Sequence, residues 1–228
     1  MSDVVVIVSG GMDSVTLLYD VISQGHKPHV LSFDYGQRHK KELICAKWNC
    51  EQLCVPDHLI VNLGVLNELA ESCLTRPNLP VPEGNYDEPS MKATVVPNRN
   101  MVMLSLATAF AISTKSEAVY YGAHAGDHTI YPDCRPEFVK AMDVAMKLCD
   151  WKRIELRVPY LRMTKADILR IGKTLNVPYT MTWTCYKGEP ISCGQCGSCR
   201  ERLEAFEIAN MEDPLNYQDG TNRKPLEG

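Results

Sequence analysis

Residues 3–8, "DVVVIV", run into a short turn, "SGGMDS" (9–14). Apolar residues at helical spacing follow at once, Val15, Leu18, Tyr19 and Ile22, with Gly25 as a stop. A strand that is apolar without alternation must be covered on both faces. One that feeds a helix through a short turn belongs to a parallel sheet. The pattern then repeats, with strands expected at 29–33, 58–63, 118–123 and 154–159. Helices are expected around Leu43–Leu53, across Val65–Cys73, from a capping Asn98 to about Thr114, and across Glu137–Cys149. A further helix spans 164–175, where Thr164 and Asp167 stand in capping-box positions. The fold class is therefore α/β, a doubly wound parallel sheet. Between its elements, "RPNLPVPEGNYDEP" (76–89) has no period and many turn residues, which marks a long loop or lid.

A chain of 228 residues buries roughly 70–75% of its unfolded surface, enough for one core with an appendage. Its 45% apolar and 23% charged residues are those of a globular chain. A net charge of −4 argues against a basic face for a nucleic-acid backbone, so no direct nucleic-acid partner is expected. No apolar run of about 18 residues occurs, and no basic leader precedes the first strand, so neither a membrane span nor a signal peptide is expected. Ten cysteines without an export signal read as reduced thiols and metal ligands, which places the chain in the cytoplasm.

In such a sheet the ligand lies at the carboxyl ends of the strands, where the turn 9–14 sits. That turn lacks the GK[ST] ending of a Walker loop and the three spaced glycines of a dinucleotide fingerprint. The amides of Gly10 to Ser14 and the helix terminus behind them suit an anion. Asp13 is out of place beside an anion unless a divalent cation accompanies it, as Mg²⁺ accompanies ATP; the bland alternative is a helix cap. After the second strand, "DYGQRHKKE" puts Gln37, Arg38 and His39 at the same crevice, although plain solvated charge would look alike. Lys165 stands in the first turn of a helix, where a cation is unfavourable unless it meets an anion. The histidines of "HAGDH" (124–128) read as polar surface.

Cys185, Cys193, Cys196 and Cys199 have the spacing C-x₇-C-x₂-C-x₂-C, laced with glycines that allow tight chelate turns. Four thiolates close a tetrahedral shell, so one structural Zn²⁺ per chain is expected, with an iron–sulfur cluster as the competing occupant. The remaining cysteines, Cys45, Cys50, Cys54, Cys73, Cys134 and Cys149, read as small core residues, Cys134 being set apart by its place in "YPDC".

"SGGMDS" behind a buried strand resembles the pyrophosphate loop of the N-type ATP pyrophosphatases. Four further stretches narrow the likeness: "FDYGQRHKKE" (33–42), "VPNRN" (96–100), "YPDCRPEF" (131–138) and "TWTCYKGEPISCGQCGSCRER" (182–202). Together they resemble the 7-cyano-7-deazaguanine synthases, and the likeness runs from residue 3 to about residue 205. One departure is "DHTI" (127–130), where that family usually has Asp, any residue, Ser, Gly. The resemblance implies an adenine nucleotide alpha hydrolase-like domain over 1–180, a zinc-binding element with a helix over 181–210 and a tail over 211–228. It implies ATP binding at Val8, Ser9, Gly10, Gly11, Met12, Asp13, Ser14, Arg38 and Lys165, with Asp13 and Lys165 catalytic and Lys165 on the pyrophosphate. Gln37, Arg99, Asp127, Tyr131, Asp133 and Arg135 would hold the substrate, with Arg135 facing its carboxylate. The implied reaction turns 7-carboxy-7-deazaguanine and ammonia into the 7-cyano base at the cost of ATP, with Mg²⁺ as the nucleotide's partner. A homodimer is one candidate assembly. Two rivals remain at this point: a tRNA-thiolating pyrophosphatase with Cys134 carrying sulfur, and a non-catalytic zinc-ribbon module.

Overall fold

Within β1 (Asp3–Ile7), residues of alternate parity face opposite layers, and both layers are apolar. Val4 and Val6, with Val8 just beyond, face one core; Val5 and Ile7 face the other. The computed structural model describes residues 2–86, 89–218 and 220. Around β1 lie β2 (Lys27–Asp34), β3 (Asp57–Asn62), β4 (Ala118–Tyr120) and β5 (Glu155–Arg157). The order is β3-β2-β1-β4-β5 and every pairing is parallel, with Val5 opposite both His29 and Val119. Strand order reverses at β1, so the clefts behind β1 and β4 open side by side, the place where ligands settle in such sheets.

One face carries α1 (Met12–Ser23) and α2 (Lys41–Gln52), and later α6 (Lys165–Thr174) and α7 (Gly197–Ile208). The other carries α3 (Gly64–Leu69), α4 (Arg99–Ser113) and α5 (Pro136–Met146). Fully buried apolar side chains such as Leu17, Leu18 and Ile168 each contribute about 1.5–3 kcal/mol to this packing. The C-terminal element shares the main core rather than hanging from it, since Ala205 and Phe206 of α7 pack among the residues of α1 and α6. Among the described residues no helix is long and apolar enough to cross a membrane.

Several local expectations need correction. The helix expected over 65–73 ends at Leu69, because Ala70 turns extended at φ −132°. Asn98 does not cap α4 through its side chain; it holds the left-handed conformation at φ 60°, which asparagine tolerates better than most residues. Of the six cysteines expected in the core, Cys54 and Cys149 are exposed. Thr164 and Asp167 do form the reciprocal capping box.

Of the loop 76–89, the part up to Tyr86 lies against the cysteine element: Glu83 bridges to Cys196, and the Gly84 amide donates to Gln195 O (3.3 Å). Residues 87 and 88 of it lie outside the described residues. The same holds for 219 and 221–228 of the expected tail. The described part of that segment is a strap. Arg202, 1% exposed, donates through Nε and Nη2 to the two carboxylate oxygens of Asp213 (2.8 and 2.9 Å), and the Tyr217 hydroxyl donates to the same carboxylate (2.6 Å). Removing one partner of such a buried pair typically costs about 3–5 kcal/mol.

Candidate functional site

The turn after β1 is shaped by Gly10, whose φ is +96° and whose missing Cβ would lie 1.8 Å from Glu42 O. No residue with a side chain fits there. The Ser14 hydroxyl accepts from the amides of Ser9 (3.2 Å) and Gly10 (3.3 Å) and so ties the turn to the helix it precedes. Gly11 is the N-cap of α1, and no side chain caps that helix, which leaves its positive end to the cavity. A Cβ at Gly122, behind β4, would stand 3.6 Å from the Ser14 backbone, so this segment closes the cleft from the other side.

Asp13 is thus not a cap. Its Oδ2 lies 3.3 Å from Lys165 Nζ, and its Oδ1 is buried with no hydrogen-bond partner. An orphaned buried carboxylate oxygen is costly unless something outside the chain satisfies it. Lys165 Nζ also donates to Glu201 Oε2 at 2.5 Å. Burial works against the Lys165 ammonium, but Asp13, Glu201 and Asp127 outweigh it and raise its pKa above the ordinary lysine value. Burial lifts the Glu201 carboxyl, against the pull of Lys165 and His124. Asp127 accepts a hydrogen bond from Tyr86 (3.1 Å) through Oδ1 and from the His124 amide (3.2 Å) through Oδ2.

His124 is the sharpest departure from the sequence reading, which put it on the surface. It is 1% exposed, and its Nδ1 accepts from the Gly126 amide (3.1 Å), closing a capping box with Asp127. That bond assigns the ring proton to Nε2. Nε2 faces Asp127 Oδ1 (3.6 Å), Asp13 Oδ2 (3.7 Å) and Glu201 Oε1 (3.9 Å). Three carboxylates gather here around one ammonium, and their hard oxygen donors suit a magnesium-type cation.

The cavity, about 210 Å³, extends from this corner to an aromatic end lined by Phe33, Tyr35, Tyr121, Tyr131 and Tyr186. Arg99 lies among them, donating to Tyr35 OH (3.1 Å) with its guanidinium 5.4 Å from that ring's centre. Burial opposes its charge, but the surrounding tyrosines favour it and keep it cationic. Burial also holds the Tyr35, Tyr86, Tyr121, Tyr131 and Tyr186 hydroxyls in their neutral form. Two further wall residues, His39 and Glu42, approach to 3.5 Å without forming an ion pair. Burial lowers His39 to about 3 and pushes Glu42 up to about 8, the latter against the opposing effects of Gln37 and Arg99. Both groups are therefore mainly neutral at pH 7. Cys134 borders the same end, contacting Tyr121 OH (3.2 Å) and accepting from Asn100 Nδ2 (3.3 Å), and burial keeps it a thiol.

Behind the cavity, the four sulfurs of Cys185, Cys193, Cys196 and Cys199 lie within 4.8 Å of one another, all buried. The Gln195 and Cys196 amides donate to Cys193 Sγ (3.4 and 3.3 Å), the bonding expected of a thiolate turn. This is a site for a structural metal ion. Cys196 caps α7 and Cys199 lies in its first turn, so the element that binds the metal also starts the helix that carries Glu201. The same region gives Trp183, Thr184, Tyr186 and Ser198 to the cavity wall.

The structure thus brings together Val8, Ser9, Gly11, Met12, Asp13, Ser14, Arg99, Asp127, Tyr131 and Lys165 around one cavity. Gly10 backs the turn from behind. Four of the expected residues do not face the cavity. Gln37 is buried and spent on Tyr35 N, Phe33 O and Glu42 Oε1. Arg38 donates to Leu79 O (3.0 Å), and Asp133 accepts from the Asn100 amide (3.1 Å) at the start of α4. Arg135 lies at the surface, donating to His128 O (2.8 Å). In the "DHTI" departure, Ile130 is buried beside Met91 and Cys134, and Thr129 is exposed. Sequence reasoning missed Tyr86, which lies in a segment without any period, and Glu201, which lies past the first turn of α7 and reads as an ordinary helix acid.

Residues 3–210 match the family model of the queuosine biosynthesis protein QueC. A 7-cyano-7-deazaguanine synthase of Methanoregula boonei is 58% identical over 214 residues, 94% of this chain and 98% of the relative. One from Caldicellulosiruptor saccharolyticus is 56% identical over 94% of this chain and 95% of its own length. Among solved structures, NMN synthetase from Francisella tularensis is similar at a TM-score of 0.50 and 15% identity, over 92% of this chain and 75% of that one. A 4-thiouridine synthetase, solved as an RNA complex with bound ATP, reaches 0.51 and 18% identity, over 89% of this chain and 50% of its own. The two structural likenesses speak for the fold alone.

Proposed function

The chain belongs to the QueC family, whose curated relatives are 7-cyano-7-deazaguanine synthases, and from that premise we propose how its cavity makes the cyano base from 7-carboxy-7-deazaguanine, ammonia and ATP. The observation that carries the reading is the cavity's two-ended chemistry. At one end are an uncapped helix terminus, Lys165 and the orphaned oxygen of Asp13; at the other are neutral aromatic hydroxyls around one guanidinium. The first end suits a nucleotide's phosphates and the second a flat anionic heterocycle.

A carboxylate resists ammonia because oxide would have to leave. Attack of the carboxylate oxygen on the α-phosphorus of ATP expels pyrophosphate and makes an acyl adenylate. Ammonia then displaces AMP and gives the amide. The α1 amides and Lys165 stabilise charge gathering on the departing pyrophosphate. Asp13, with Asp127 near, would hold Mg²⁺, which when bound supplies positive charge to the phosphates. Arg99 takes the role that the motif reading gave to Arg135, pairing with the substrate carboxylate from inside the cavity. Tyr131 and the neighbouring tyrosines offer ring faces and hydroxyls to the base. The tRNA-thiolating alternative is disfavoured because Cys134 is held as a buried thiol. The non-catalytic alternative is disfavoured by the intact phosphate corner.

For the cysteine site the occupant is zinc, one per chain. With Zn–S bonds of about 2.3 Å, sulfurs at tetrahedral corners stand about 3.8 Å apart, and Cys193 Sγ lies 3.9 Å from Cys199 Sγ. Ten free cysteines suit a reducing compartment such as the cytoplasm. Mass spectrometry after incubation with ATP, Mg²⁺, ammonium and 7-carboxy-7-deazaguanine tests the reading. The expected product is the nitrile with AMP and pyrophosphate, and an unchanged base overturns it.

A further inference from the structure

We infer that Glu201 is a positioning residue of the phosphate corner: by taking Lys165 as its own ion-pair partner, it leaves Asp13 an oxygen free for a divalent cation. The inference rests on the reading that Asp13 holds that cation. Lys165 carries one charge and has two carboxylates within 4 Å, and the shorter contact is to Glu201, 2.5 Å against 3.3 Å for Asp13. Without a competing acceptor, the ammonium would satisfy itself on Asp13, and the corner's most exposed-to-ligand carboxylate would be neutralised by the chain's own lysine. In the structure the ammonium sits closer to Glu201 and keeps only the longer contact to Asp13 Oδ2, and Asp13 Oδ1 stays buried and unpartnered, the condition a metal ligand needs before its metal arrives.

The surroundings are built around Glu201. A Cβ at Gly126 would come within 2.8 Å of Glu201 Oε1, so the loop behind β4 leaves room for that carboxylate. Gly197, in the same helical turn as Ser198, leaves room for Met91 Sδ, where a Cβ would stand at 2.5 Å. The carboxylate's height is set by Cys196 and Cys199, which fix the start of α7. Besides lining the cavity with Ser198, the metal element thereby acts on the phosphate corner through Glu201.

Glu201→Gln keeps the shape and an acceptor oxygen but removes the charge that holds Lys165. Calorimetric titration of magnesium with a non-hydrolysable α,β-methylene ATP into the full-length, zinc-loaded chain reads the effect without turnover. Glu201→Gln is expected to weaken the magnesium-dependent part of binding roughly tenfold, with zinc content unchanged and a cooperative melt retained. In a Lys165→Met background the same substitution should change nothing further, since no lysine remains to be diverted. An unchanged magnesium affinity in Glu201→Gln overturns the inference, as does an equal loss in the Lys165→Met background. Asp13→Asn in the same titration separates the two readings: if it leaves magnesium affinity intact, the assignment of Asp13 itself fails. Should Glu201→Gln lose its zinc, Glu201→Asp serves, because it keeps the charge but draws it back, and wild-type magnesium affinity in that variant is equally fatal.

Discussion

Asp13 shows how one carboxylate separates two readings that the sequence leaves open. A cap and a metal ligand occupy the same position after a glycine turn, and only the partners tell them apart. Its partners are Lys165 and an empty bearing on Oδ1, with no bond to the helix amides. Asp13→Asn should therefore lower turnover strongly while the melting temperature stays within a few degrees, since even a true cap is worth only about 1 kcal/mol. Wild-type rates at limiting magnesium would return Asp13 to a structural role. Glu42 gives a different residue-scale prediction. Its carboxyl titrates near 4.5 when unfolded and at about 8 in the fold, so the folded chain keeps a proton that the unfolded chain releases. Stability from this group is present at low pH and is lost as pH rises from about 4.5 through about 8. His39, lowered from 6.5 to about 3, works the other way, costing stability as pH falls through that lower window. Glu42→Gln removes only the first dependence. The melting temperature of the wild type relative to Glu42→Gln should fall by several degrees between pH 5 and pH 8 in matched buffers. A flat difference would show that Glu42 is ionised throughout.

At the scale of elements, legibility followed periodicity and spacing. Strands with both faces apolar, the capping box at Thr164 and the cysteine spacing were readable because each is a local pattern with one physical solution. The corner formed by His124, Asp127 and Glu201 was not, because it joins a loop behind β4 to a helix more than seventy residues later, and no local period encodes that meeting. The motif "DYGQRHKKE" was half legible. His39 reaches the cavity while Gln37 is held by Tyr35 N, Phe33 O and Glu42 Oε1 and Arg38 turns to Leu79 O, after a turn at Gly36 whose φ is +80°. The metal element makes its own prediction. Binding free energies of such sites run to about 10–16 kcal/mol in peptides, so Cys196→Ser should cost stability before it costs chemistry, melting many degrees lower with zinc lost. Metal analysis of the purified wild type finding iron and sulfide instead of zinc would overturn the assignment.

At the scale of the whole molecule, the proposed phosphate corner is built on the one glycine turn after β1, at the point where strand order reverses. Making a nitrile from a carboxylate removes two oxygens, one at the amide and one at the nitrile, and each must be activated to leave. With one corner the two activations are successive, and the primary amide stands between them. Each nitrile formed should consume two ATP and release two AMP and two pyrophosphate. Supplied as substrate, the amide should need one ATP and no ammonia. Counting AMP against nitrile from each starting compound checks this. One AMP per nitrile from the carboxylate, or an amide that is ignored, rules it out.

The strap from Arg202 to Asp213 and Tyr217 has a consequence in time rather than in space. A ribosome delivers the glycine turn and Asp13 well before Glu201 and its strap, which follow nearly two hundred residues later. At several residues per second, the early part of the sheet exists for many seconds before α7 can dock. A nascent chain therefore carries a phosphate turn without its lysine clamp or its metal-anchored acid. On the proposed assignment of the cavity, nucleotide turnover would wait until α7 has docked.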